Sequence, residues 1–329
     1  MRRFLVSFLC LLQTLIFLNA QEPLQNDTLY QMLSSLAEGK DSVRLKMLND
    51  LANSNTLASG YLSYADLLLK EARSQRNSLY EGNALFLHIK YYYNNNTDSM
   101  YYWIQEAEPV FLETKQYEYL FRAKAWYIYV LTNEGRNEEA LEWVNALKKQ
   151  AQLLGYPDGY DMANQALANF YFSTNLPKEG VLLYEEILQG MEERKAPLSK
   201  RIYIVRQLLN KAPEREQRLK YLERLDEYIK DCEAKGIEQI DNDLFVYYLK
   251  YITNRNYALE YIQVKDVKQA EMYLDSAAAL GEKYDMTSLR PELMMIQVLC
   301  CVEKKENERR WVCWIRWPFC MKRRTVTGT

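Results

Sequence analysis

The chain has 329 residues, and its 42 Lys and Arg against 44 Asp and Glu leave a formal charge of −2. That balance lacks the basic footprint of a nucleic-acid binder, and 48% hydrophobic residues are ordinary for a folded protein. Gly and Pro are scarce (11 and 8), which argues against many strands joined by tight turns, and a single His leaves little material for imidazole catalysis or metal binding. Of the six Cys, Cys10 lies near the start, four lie in the last thirty residues and only Cys232 lies in the body. No disulfide framework is therefore expected.

Residues 1–20 read MRRFLVSFLCLLQTLIFLNA. The basic Arg2 and Arg3, the apolar run over 4–18 and the small Ala20 before Gln21 have the layout of a secretory signal peptide, cut after Ala20. An uncleaved membrane anchor is the other account, although the run is slightly short for a span of about 20 residues. Both place the body outside the cytoplasm, in the periplasm or beyond. Within residues 21–40, the stretch 27–38 (DTLYQMLSSLAE) reads as an amphipathic helix capped by Asp27 or Thr28. A lone helix ahead of a repeat array most simply covers its first exposed apolar face.

From Asp41 a forty-residue period begins. Met47, Leu51, Asn55, Gly60, Tyr64 and Leu67 are matched by Leu87, Tyr91, Asn95, Met100, Ile104 and Ala107. The same steps then hold Tyr127, Leu131, Gly135, Ala140, Val144 and Leu147, followed by Leu167, Tyr171, Asn175, Gly180, Tyr184 and Ile187. Each series describes two helices, with a turn residue between them that tolerates the left-handed conformation. Near residue 201 the register slips, because Gln207, Lys211 and Arg215 stand where two large residues and a turn residue belong. Residues 198–211 and 213–234 still read as helices, with Pro213 suited to a first helical position. After a ten-residue offset the pattern resumes with Ala258, Tyr261, Ala270, Leu274 and Ala277, and a last helix spans about 288–305 with Pro291 in its first turn.

Units thus begin near 41, 81, 121, 161, 201 and 251, in an array over 41–306. Large apolar residues on the first helix, then a small and a large one on the second, resemble a tetratricopeptide repeat of about 34 residues with its helices or loops lengthened. The resemblance implies an all-α fold, a right-handed α-solenoid of tetratricopeptide-like helical hairpins. Each hairpin has an apolar face that only its neighbours can cover, so interior units should be firm and the irregular fifth the weakest.

His88 occupies the first-helix step held by Ile128 and Ala168, and reads as a packed structural histidine. The acid pairs Glu138 and Glu139, and Glu185 and Glu186, sit early in second helices, where solvated carboxylates favour the dipole. Nucleotide, zinc-protease and hydrolase motifs do not occur, so neither a catalytic residue, a metal nor a cofactor is expected.

The tyrosines say more. Helical neighbours are offset by about 100°, so with Tyr91 at a packing step, Tyr92 and Tyr93 turn toward the groove side. The same inner face carries Arg122, Tyr129 and Asn133 in the third unit, Gln165, Asn169 and Phe172 in the fourth, and Arg255 in the last. One account is a solvated polar face with scattered aromatics. The other is a concave groove for a protein or peptide partner, or for a glycan, because aromatic surface with amides and Arg is what recognition uses.

A signal peptide followed by DSVRLKMLNDLANS, and then by hairpins of the GRNEEALEWVNALKK and VKQAEMYLDSAAALGEKY type, resembles the extracytoplasmic tetratricopeptide sensor region of Gram-negative membrane histidine kinases and related membrane-bound regulators. The likeness covers residues 1 to about 305 and implies a ligand-sensing input module of a signal-transduction system, without enzymatic activity of its own. In those families a transmembrane helix and an output domain follow; here no phospho-acceptor histidine box and no Asn/Gly-rich ATP lid occur. A periplasmic or secreted scaffold that assembles other envelope proteins is the alternative.

Residues 307–329 break with this pattern. They hold Trp311, Trp314 and Trp317, half of all Trp, with six basic residues, Cys313, Cys320 and Pro318. The segment is too short to span a membrane and contains Arg316. It reads either as a membrane-surface segment, where Trp and Arg suit the headgroups, or as the unselected product of a reading-frame shift near Asn307.

Overall fold

The computed structural model describes residues 41–54, 61–93, 95–235 and 243–304, and among them the chain is helical throughout, without a strand. The leader, the capping helix, the Asn55 turn and the Trp-rich tail lie outside the described residues. Six pairs of helices follow one another: α1 (Asp41–Ser54) and α2 (Tyr61–Ser74), α3 (Ser78–Tyr92) and α4 (Thr97–Glu113), α5 (Tyr117–Asn133) and α6 (Asn137–Leu154), α7 (Pro157–Ser173) and α8 (Pro177–Glu193), α9 (Leu198–Lys211) and α10 (Arg215–Lys235), α11 (Asp243–Gln263) and α12 (Val267–Lys283). A 3₁₀ turn (Thr287–Leu289) leads into α13 (Arg290–Glu303), with Pro291 in its first turn. The pairs start at Asp41, Ser78, Tyr117, Pro157, Leu198 and Asp243.

The turns explain the period. Lys115, Gly135, Gly155, Asn175 and Lys195 all have positive φ, at twenty-residue intervals, and Lys265 and Asp285 resume the interval. At Lys115 the Gln116 N–H donates to Phe111 O and the Lys115 N–H to Leu112 O, a Schellman pair of bonds. The same two bonds recur at Gly135, Gly155, Lys195, Lys265 and Asp285. They satisfy carbonyls that a helix end leaves open, which offsets the roughly 1–2 kcal/mol that a left-handed non-Gly residue costs. Starts are capped as well: Asn77 accepts from the Tyr80 N–H, Asn96 from Ser99 and Asp266 from Gln269.

The fifth pair departs from this scheme for a visible reason. Ala212, at the end of α9, has an extended backbone with ψ 124° instead of a left-handed one. Pro213 lies in that connection, and α10 begins at Arg215, two residues later than expected. The extended link breaks the twenty-residue interval, and the register slips.

The chain divides into two compact units, Met1–Thr174 and Asn175–Thr329. In the first, each helix packs on the next, and the first helices α1, α3, α5 and α7 also pack on one another in order. Among the described residues the backbones of the second helices α2, α4 and α6 do not meet in this way. Within this unit the stack is therefore tighter along its first helices. Many of the repeat steps form its core: Leu87, Tyr127, Leu131, Ala140, Val144 and Leu147 are buried, as are Met100, Ile104 and Ala107, whereas Met47, Leu51, Tyr91, Leu167 and Tyr171 pack against it only partly buried. In the second unit α11, α12 and α13 enclose Ala258, Ala270, Leu274 and Ala277 with Leu293, Ile296 and Cys300.

Candidate functional site: an aromatic seam between first helices

Forty residues separate Phe86 on α3 from Trp126 on α5, so the repeat brings them to the same step of successive first helices. Their ring centroids lie 5.4 Å apart. Phe86 also stacks on Tyr119 at 4.3 Å, and Trp126 meets Tyr93 at 5.2 Å. Tyr93 in turn approaches Tyr129 to 6.2 Å. The five rings form a graded surface: Phe86 is buried, Tyr93, Tyr119 and Trp126 are half-buried, and Tyr129 is 42% exposed. Burial, and then the neighbouring Tyr129, pushes the Tyr93 hydroxyl pKa up. That phenol stays protonated at neutral pH and can donate a hydrogen bond.

Polar groups continue the surface along α5. Arg122 pairs with Glu118 one turn before Trp126, and the exposed Asn133 stands one turn beyond Tyr129. On α7, which packs against α5, Gln165, Asn169 and Phe172 are half-buried and share one stripe by their i, i+4, i+7 spacing. The seam therefore unites Tyr93 and Tyr129, with Arg122 and Asn133 on the same helix face. Tyr92 differs: its ring meets Tyr91 edge-on at 5.0 Å. Arg255 lies on α11 in the second unit, where it pairs with Glu292 of α13 at 2.5 Å.

Sequence reasoning missed Phe86, Tyr119 and Trp126. The signal that could have found them is the aromatic coincidence of Phe86 and Trp126 under the forty-residue step, together with the i, i+7 spacings of Phe86 to Tyr93 and Tyr119 to Trp126.

Other clusters hold the stack together. Lys124, almost fully buried on α5, donates to Glu108 of α4 at 2.5 Å and to Gln150 of α6 at 2.9 Å. Its neighbour Tyr127 packs its ring between Tyr101 of α4 and Trp143 of α6. His88 is 1% exposed and stacks on Trp103 at 4.0 Å, so it is a packed residue of the α3–α4 seam. Among the described residues no three His, Cys, Asp or Glu side chains are placed to hold a metal, and no helix is long and apolar enough to cross a membrane.

The arrangement offers flat apolar rings with a hydroxyl, an amide and a guanidinium along one edge, which is the chemistry of binding. Compared with known proteins, the chain matches no described protein family and no curated sequence.

Proposed function

We propose that this chain is an exported, non-enzymatic binding module, a right-handed solenoid of tetratricopeptide-like hairpins that takes a protein or peptide partner along its first helices. In this reading it is the ligand-sensing input part of a signal-transduction system, as the resemblance to extracytoplasmic sensor regions implies. The observation that carries the binding reading is the seam from Phe86 through Trp126 and Tyr93 to the exposed Tyr129, which lies between the first helices α3 and α5. A half-exposed aromatic row flanked by Arg and amide groups gives a partner large contact area with little side-chain entropy to lose.

The test is selection of peptides from a random display library against the intact chain, followed by affinity measurement on variants. Tyr129→Ala and Asn133→Ala should each weaken the selected peptides about tenfold or more, since an aromatic anchor is worth at least ~1–2 kcal/mol. Glu142→Ala, on the exposed side of α6, should leave affinity unchanged. Equal binding by Tyr129→Ala and the unaltered chain would remove the seam from consideration.

A further inference from the structure

One second helix lacks a side chain where the others have one. Four residues before the positive-φ turns at Arg76, Lys115, Gly155 and Lys195 stand Ala72, Phe111, Ala151 and Met191, all buried. Before the turn at Asp285 the same step is Gly281 on α12. A cavity of about 30 Å³ lies there between α11, α12 and α13, lined also by the exposed Glu282 and Met294. One water takes roughly 10–15 Å³ by this measure, so two or three heavy atoms fit. Tyr251 of α11 lines the space too; it is 1% exposed, and its hydroxyl donates to Leu289 O at 3.0 Å, which fixes the ring.

Two opposite charges line this cavity without joining. Arg290, in the first turn of α13, has its Nε shut off from solvent and without a hydrogen bond among the described residues. Glu282 borders the same space, and among the described residues no ion pair links the two. A buried donor left bare destabilises a fold, and a carboxylate beside it removes that cost. The start of α13 favours a negative group as well, because no side chain caps it.

We propose that this cavity binds a free amino acid with a small aliphatic side chain. Its carboxylate meets Arg290, its ammonium meets Glu282, and its side chain enters the space that Gly281 leaves beside Tyr251. A simple anion or a simple cation would satisfy only one of the two charges. Gln297, on the same lining, can bond to either group of the ligand. The inference is independent of the aromatic seam, which belongs to the other compact unit.

Calorimetric titration of the full chain with L-valine tests it, and the NMR signal of the Met294 methyl group, assigned with Met294→Leu, reports the place of binding. L-Valine should bind with a Kd of about 1 mM or tighter and shift that signal saturably. Arg290→Gln and Glu282→Gln should each weaken binding about tenfold or more, since each removes a charge-assisted bond. Gly281→Ala should weaken L-valine more than glycine. Its added methyl stands 3.5 Å from the Tyr251 ring, an ordinary contact, so this variant keeps its fold, and thermal melts check all three. No saturable shift with L-valine, or unchanged binding by Arg290→Gln, overturns the proposal. Isovalerate binding as well as L-valine would make this a carboxylate site only, and isobutylamine binding as well would make it a cation site only. Either result also overturns it.

Discussion

His88 is buried against Trp103, its Nε2 lies 3.4 Å from Asp66 Oδ1, and neither ring nitrogen makes a hydrogen bond among the described residues. Burial, and then the positive charge of Arg73, lowers its pKa to about 4. A protonated imidazole is therefore disfavoured in the folded chain relative to the unfolded one, whose value is about 6.5. His88 contributes full stability above pH 6.5 and loses it as the pH falls toward 4, a loss of roughly 3 kcal/mol across that window. His88→Phe keeps an aromatic ring on Trp103 and removes the titration, so its melting temperature should fall less than that of the unaltered chain between pH 7 and 4. Parallel melting curves across this range would show that His88 does not titrate on unfolding. Its burial could be read from the repeat, since Ile128 and Ala168 hold the same step. Its missing hydrogen bonds could not, because they depend on which polar atoms α2 and α4 bring near.

Among elements, the glycines of α7 and α8 invite opposite expectations. A Cβ on Gly159 would stand 2.7 Å from ring atoms of both Phe121 and Tyr156, in a packed corner between α5 and α7. Gly190 would meet only the far end of the Arg194 side chain, at 3.4 Å. Gly159→Ala should cost about 1–3 kcal/mol through overpacking, whereas Gly190→Ala should gain about 0.5–1 kcal/mol from helix propensity. Thermal melts of the two variants check this; a stabilised Gly159→Ala would mean that Phe121 can move aside. The helices themselves were largely legible in the sequence, because apolar residues recur at helical spacing and Gly135 and Asn175 signal turns by their type. The turns at Lys115 and Lys195 were not, since lysine has no preference for the left-handed region. Their conformation is imposed by the bonds of the adjoining helix end. The seam was half legible for a related reason: Tyr93 and Tyr129 look out of place as exposed aromatics, but Phe86 and Trp126 look like ordinary core until their helices are laid side by side.

At the scale of the whole molecule, a stack held together through neighbouring contacts should open locally instead of all at once. The second unit shows where. Glu260 of α11 is 4% exposed and is held by both arms of the Arg218 guanidinium from α10, at 2.6 and 3.0 Å. Tyr221 donates to Glu185 of α8 at 2.7 Å, and Tyr228 donates to Glu192 of the same helix. The fifth hairpin, irregular in its turn, is thus fastened by polar contacts on both sides. Arg218→Ala removes both close contacts of a buried carboxylate and leaves it only Arg215, at 4.0 Å, at a cost of about 3 kcal/mol. Hydrogen exchange should then quicken in α10 and α11 while α3 to α6 stay protected. A uniform rise over all helices would instead mean that the chain unfolds as one body.

The even interval of the positive-φ turns carries a consequence for how such a chain can change in length. An insertion or deletion of one residue within α5 would rotate everything beyond it by about 100°, carrying buried steps to the surface. Removing a complete twenty-residue segment would preserve the rotation but exchange first helices for second ones downstream. Only a forty-residue quantum leaves every following side chain with the neighbours it had, so descent by duplication and loss of whole hairpins is the route along which this sequence can lengthen or shorten without refashioning its core.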